Sequence, residues 1–194
     1  MNNDFKLFYR IWHWTLVFSV IGLLFTVFLR KTFLSYKSNA VIIQDTLASL
    51  DVEVSLESAK LVGKAIRTPM WEWHYIFAIF LGLAIVMRMY MLVTKQVQHP
   101  LPRFLEAKGL VKLQTLVYLL ISIVIPLMAL SGTVLYFYEA LGLTKEGVHW
   151  IKEVHELMMY AVLVLVGMHL AGVIRHELLT KEGIISKMIH GEKK

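Results

Sequence analysis

The chain has 194 residues, 57% of them hydrophobic and only 18% charged, with a net charge of +6 and no cysteine. A soluble domain needs one apolar face per helix, but here the apolar residues gather in long blocks, the composition of a membrane protein. Lys and Arg stand at the ends of those blocks, not along one face, which excludes a nucleic-acid surface. The lack of cysteine excludes Cys-x-x-Cys-His cofactor attachment, iron–sulfur ligation and Cys-rich zinc sites within the chain.

In chain order, the first apolar block runs from Tyr9 to Leu29. The N-terminus does not read as a signal peptide with a small-residue cleavage site, and this block is long enough to be expected to remain as a membrane span. The segment from Arg30 to Met70 is the one connection large enough to have its own structure. Ile43, Leu47 and Leu50 recur there at helical spacing, and Ser55 is placed to cap a second short helix carrying Leu56, Leu61, Val62 and Ala65. Two short amphipathic helices on the outer end of a bundle fit this pattern, and a solvated connector fits it equally well. The second span runs from Trp71 to Val93 and the third from Val111 to Tyr138. Pro126 should kink the third, and Gly132 should let a neighbour approach its backbone closely. The fourth span runs from Ile151 to Ile174, and Lys181 to Lys194 forms a charged tail suited to anionic lipid. The expected fold is therefore all-α: one membrane domain over residues 1–194, a four-helix bundle with an extended, partly helical loop between helices one and two.

Trp12, Trp14, Trp71, Trp73 and Trp150 flank span starts and read as interfacial anchors. With the N-terminus inside, the inner segments hold twelve Lys and Arg residues against eight outside, so both termini are expected in the cytoplasm.

Four of the eight histidines lie within the spans, where an ionisable group is costly and functional by default. His13 starts the first span at the inner face, and His74 starts the second at the outer face. His155 and His169 are fourteen residues apart on the fourth span, which is roughly 21 Å along the axis and within ~40° of the same direction. An alternating bundle then matches His13 with His169 at the inner level and His74 with His155 at the outer level. Two imidazoles facing each other at equal depth are what bis-histidine ligation of a haem requires. A zinc site needs three or four donors at one point, which two separate pairs without carboxylates do not supply.

The run Glu153-Val-His155-Glu156-Leu, the interval to His169 and the following Arg175-His176 resemble the last helix of the prokaryotic cytochrome b561 family. That family includes the cytochrome b subunits of nickel–iron hydrogenases and thiosulfate reductases. Arg10-Ile-Trp-His13-Trp resembles its first-helix motif, and His74 followed by Arg88 its second helix. Pro126 with Gly132 is similar to the Pro and Gly of its third, at wider spacing. The chain departs from the family at Lys112-Leu-Gln114, where many members carry a histidine, and in the length of its first outer loop. The resemblance implies four helices, two b haems ligated by His13, His74, His155 and His169, and electron exchange between a membrane quinone and an outer-face redox protein. Localisation would be the cytoplasmic membrane of a prokaryote.

Arg88 at the inner end of helix two reads either as a partner for a haem propionate or as a positive-inside anchor. His176 reads as a proton relay to quinone or as a solvated side chain, and His99, His149 and His190 are given no role. Two rival functions are a stand-alone superoxide:quinone oxidoreductase of the same fold and a haem-free membrane scaffold or transporter.

Overall fold

The computed structural model describes residues 6–191. Lys193 and Lys194 of the expected charged tail lie outside the described residues. Eight helices follow one another: α1 (Leu7–Lys31), α2 (Tyr36–Ala48), α3 (Leu56–Ile66), α4 (Thr68–Val93), α5 (Pro100–Glu106), α6 (Gly109–Phe137), α7 (His149–Thr180) and α8 (Ile184–His190). Among the described residues, α1, α4, α6 and α7 provide the four stretches long and apolar enough to cross a membrane, so the protein is an all-α, multi-pass membrane protein. Each span is longer than its apolar block alone suggests. α4 begins at Thr68, where Pro69 sits in the first turn that its fixed φ suits. α7 has 32 residues, which makes it about 48 Å long against a hydrocarbon core of about 30 Å.

These helices turn large apolar side chains outward: Ile21, Ile79, Leu130 and Val164 are 61%, 72%, 62% and 62% exposed. In water such surfaces would drive aggregation; in a bilayer they are solvated by lipid. Hydroxyls within the spans bond to their own helices. Ser19 donates to the Thr15 carbonyl at 2.7 Å, Thr115 to the Val111 carbonyl at 2.9 Å and Ser122 to the Leu119 carbonyl at 2.7 Å, as polar groups surrounded by hydrocarbon must. α6 continues through Pro126 as one helix.

The chain forms two compact units. One comprises the N-terminal residues through His13 together with Ala84 onward, and the other runs from Trp14 to Leu83. In the first, α6 packs along α7, and α5 packs against α6, with Val117, Ile125, Met159, Val162 and Leu165 buried. His99 caps α5, its Nδ1 accepting from the Leu101 amide at 3.2 Å. The C-terminal segment is not a free tail. After Lys181 and Gly183, both in the left-handed region, the chain forms α8, whose Met188 and Ile189 carbonyls accept from the Arg10 guanidinium. α1 and α8 are therefore joined through Arg10. The Glu177 carboxylate also accepts from the Ile184 amide at 2.8 Å.

In the second unit, the expected pair of short helices is present as α2 and α3, packed on each other. The Ser55 hydroxyl caps α3 by accepting from the Ser58 amide at 3.1 Å. The residues that bring the two helices together are not the large apolar ones. Leu61 and Val62 are exposed and Leu50 lies beyond the end of α2, whereas Ala40 and Ala59 are fully buried. A Cβ on Gly63 would stand 2.9 Å from the Tyr36 carbonyl oxygen. The helices approach through small residues, which allow near backbone contact.

Candidate functional site

α1 and α7 bring His13 and His169 together in the first unit, with ring centres 6.5 Å apart and planes inclined by 55°. Metal–imidazole bonds are about 2 Å, and about 1 Å more separates each ligating nitrogen from its ring centre. Two imidazoles on opposite sides of one metal therefore have centres roughly 6 Å apart. The observed separation fits. The Nδ1 atom of His169 is buried and has no hydrogen-bond partner among the described residues; a buried polar ring without such a partner is costly unless something else engages it. Tyr118 sets its ring edge-on to His169, with centres 5.6 Å apart.

Trp12, beside His13, does more than anchor. Its indole Nε1 donates to the Ala84 carbonyl at 2.9 Å, and the Arg88 guanidinium lies 4.9 Å above its ring. This cation–π stack holds Arg88 next to the His13 turn.

In the second unit, His74 is held by α1. Its Nδ1 lies 2.7 Å from the Thr26 hydroxyl oxygen, and Thr26 is buried. Trp71, one turn earlier on α4, meets His74 edge-on with centres 5.6 Å apart, and Arg30 lies 5.5 Å above the Trp71 ring. The Arg–Trp–His grouping around His13 thus recurs around His74 with Arg30 in the place of Arg88. Sequence reasoning missed Arg30, Trp71 and Thr26. The signal was present in spacing: Thr26 and Arg30 are four apart on one helix face, and Trp71 precedes His74 by three. Trp14, Trp73 and Trp150 are exposed, in keeping with interfacial anchoring.

His155 belongs to the first unit, where α6 holds it. Its Nδ1 is 2.8 Å from the Ser131 hydroxyl oxygen. A Cβ on Gly132 would stand 3.2 Å from the His155 Cε1, so the neighbour that Gly132 admits is the His155 ring. His74 and His155 fall in different units, each with its own hydroxyl partner.

The other candidates separate from these rings. His176 Nε2 lies 3.4 Å from a Glu182 carboxylate oxygen, and His149 is 3.6 Å from Glu153 at the exposed start of α7.

The His13 and His169 rings, half-buried and spaced for axial ligation, suit a haem better than an isolated metal ion, and would supply a pair of donors. No curated protein and no solved structure matches the chain significantly. The family model described as prokaryotic cytochrome b561 matches residues 4–191, covering all four spans and all four histidines, and the chain belongs to that family of membrane haem b electron-transfer proteins.

Proposed function

We propose that this protein is a dihaem cytochrome that passes electrons across the cytoplasmic membrane between an outer-face redox protein and the quinone pool, with both termini in the cytoplasm and residues 1–194 acting as one functional domain. The observation that carries the reading is the 6.5 Å ring-centre separation of His13 and His169. It supports one axial pair at the inner level. The second pair, His74 with His155, rests on their matching positions near the outer starts of their spans. Haem, when bound, would supply one-electron redox chemistry.

The chain's residues position and insulate. His13 and His169 would hold the inner group, and His74 and His155 would be the ligands of the outer one. Arg88, stacked on Trp12 beside His13, would neutralise an inner propionate. Lipid-facing apolar side chains exclude water and keep the sites at low dielectric. Lys37, Lys60, Lys64 and Arg67 on the outer loop complement an acidic partner, with Asp45, Asp51, Glu53 and Glu57 fixing its register.

A pyridine haemochrome assay on purified protein tests the reading. Two b haems per chain are expected, with the optical spectrum of low-spin, six-coordinate haem. One haem per chain removes one pair. A protein without a Soret band is a haem-free scaffold. A superoxide:quinone oxidoreductase would instead reduce quinone with superoxide in the purified state, without a partner.

A further inference from the structure

The hydroxyls beside His74 and His155 share one geometry that determines where the imidazole proton lies. The Thr26 hydroxyl is 2.7 Å from the Leu23 carbonyl oxygen as well as 2.7 Å from His74 Nδ1. The Ser131 hydroxyl is 2.9 Å from the Met128 carbonyl oxygen and 2.8 Å from His155 Nδ1. A hydroxyl has one hydrogen, and a carbonyl oxygen can only accept. If that hydrogen pointed to the ring, two lone-pair oxygens would face each other at hydrogen-bond distance with nothing between them. Both contacts are satisfied only when the hydroxyl donates to its own helix and the ring donates from Nδ1. The proton of each neutral imidazole then sits on Nδ1, leaving the Nε2 lone pair for a metal.

We propose that Thr26 and Ser131 are positioning residues: each commits its own histidine, His74 or His155, to ligation through Nε2 and would lower the potential of the haem that histidine holds. The inference rests on the haem-ligand reading above. A hydrogen bond accepted from Nδ1–H leaves more electron density on the ring and raises its basicity as a ligand, which favours ferric over ferrous iron. The carbonyl behind each hydroxyl polarises it further. Among the described residues His169 has no such acceptor at its Nδ1, so it is electronically unequal to His74 and His155 although all are histidines.

The test is potentiometric titration of purified Thr26→Val and Ser131→Ala proteins, with haem content measured on the same samples. Each substitution removes the acceptor while nearly preserving shape. The expected result is a near wild-type haem content and an upward shift of one haem potential, the other staying fixed. A tenfold change in the oxidised-to-reduced preference corresponds to about 59 mV for a one-electron couple. Thr26→Ser and Ser131→Thr, which keep the hydroxyl, should retain the wild-type potential. Unchanged potentials in Thr26→Val and Ser131→Ala at full haem content would overturn the proposal, leaving the hydroxyls as satisfied helix groups only. If the Val or Ala variant loses haem, retention by its hydroxyl-preserving counterpart supports the proposal, and loss in both overturns it. Failure of the underlying reading looks different: wild-type protein would show no Soret band, or His74→Ala and His155→Ala would keep both haems.

Discussion

Replacing Gly132 by Ala separates a ligand-accommodating glycine from one that merely packs helices. The new methyl carbon would stand 3.2 Å from His155 Cε1, a few tenths of an ångström inside the ~3.5–4.0 Å at which carbon atoms attract. The ring must tilt or slide, and its 2.8 Å bond to Ser131 lengthens. Losing that bond costs about 1 kcal/mol, and an off-rotamer histidine a further ~0.5–1.5 kcal/mol. Against this, alanine is better than glycine in a helix interior by up to about 1 kcal/mol. About 1 kcal/mol of net destabilisation remains, so the melting temperature in detergent should fall by only a few degrees. Haem retention should not be spared, because axial ligation tolerates little displacement; outer-shell disturbances cost about 10–100-fold in metal affinity. The assay is haem per chain by pyridine haemochrome beside the melting curve, with Gly132→Val as a more severe step. A Gly132→Val protein that melts like wild type and keeps two haems at wild-type potentials would refute the argument, since a Cβ there would then not disturb His155.

His13→Ala and His169→Ala should each abolish the same haem in a redox titration, while His74→Ala and His155→Ala abolish the other; if His13→Ala and His74→Ala eliminate one and the same haem, the pairing is wrong. Gly63→Ala should force α2 and α3 apart, because its Cβ would lie 2.9 Å from a backbone oxygen that cannot rotate away; a cost of about 1–3 kcal/mol should appear as faster limited proteolysis between Lys37 and Arg67 with both haems retained. Replacing residues 38–66 with a short Gly/Ser linker should leave both haems bound but stop quinone-linked electron transfer in native membranes, and transfer at the original rate would rule out docking through this loop. Trp12→Leu removes the 2.9 Å bond to the Ala84 carbonyl and should lower the melting temperature through the loss of at least about 1 kcal/mol; with no ring left beneath Arg88 it should also shift the inner haem potential, and an unchanged potential would show that the Arg88 stack does not act on it.

The four spans and the spacing of His155 and His169 along the last one were legible in the sequence because both follow from local quantities. A run of about 20 apolar residues fits a bilayer whatever its neighbours are, and the depth of His155 relative to His169 follows from helical rise alone. The cap at Ser55 was legible for the same reason, since a hydroxyl reaching an amide three residues on needs no partner from elsewhere. The hydroxyls that meet the imidazole rings were not legible. Ser19, Thr26, Thr115 and Ser131 all bond to a carbonyl of their own helix, so in sequence they are four equivalent span hydroxyls, and only the packing of helix against helix sets Thr26 and Ser131 against imidazole rings. The same holds for Trp12 and Trp71, which composition cannot tell from the exposed anchors Trp14 and Trp73, and for Arg10, which reads as an inner-face charge until α8 folds back to offer it two carbonyls. In the outer loop, the helical spacing of large apolar residues revealed the helices but not their interface: close approach selects for the smallest side chains, and Ala40, Ala59 and Gly63 carry no hydrophobic signal strong enough to announce it.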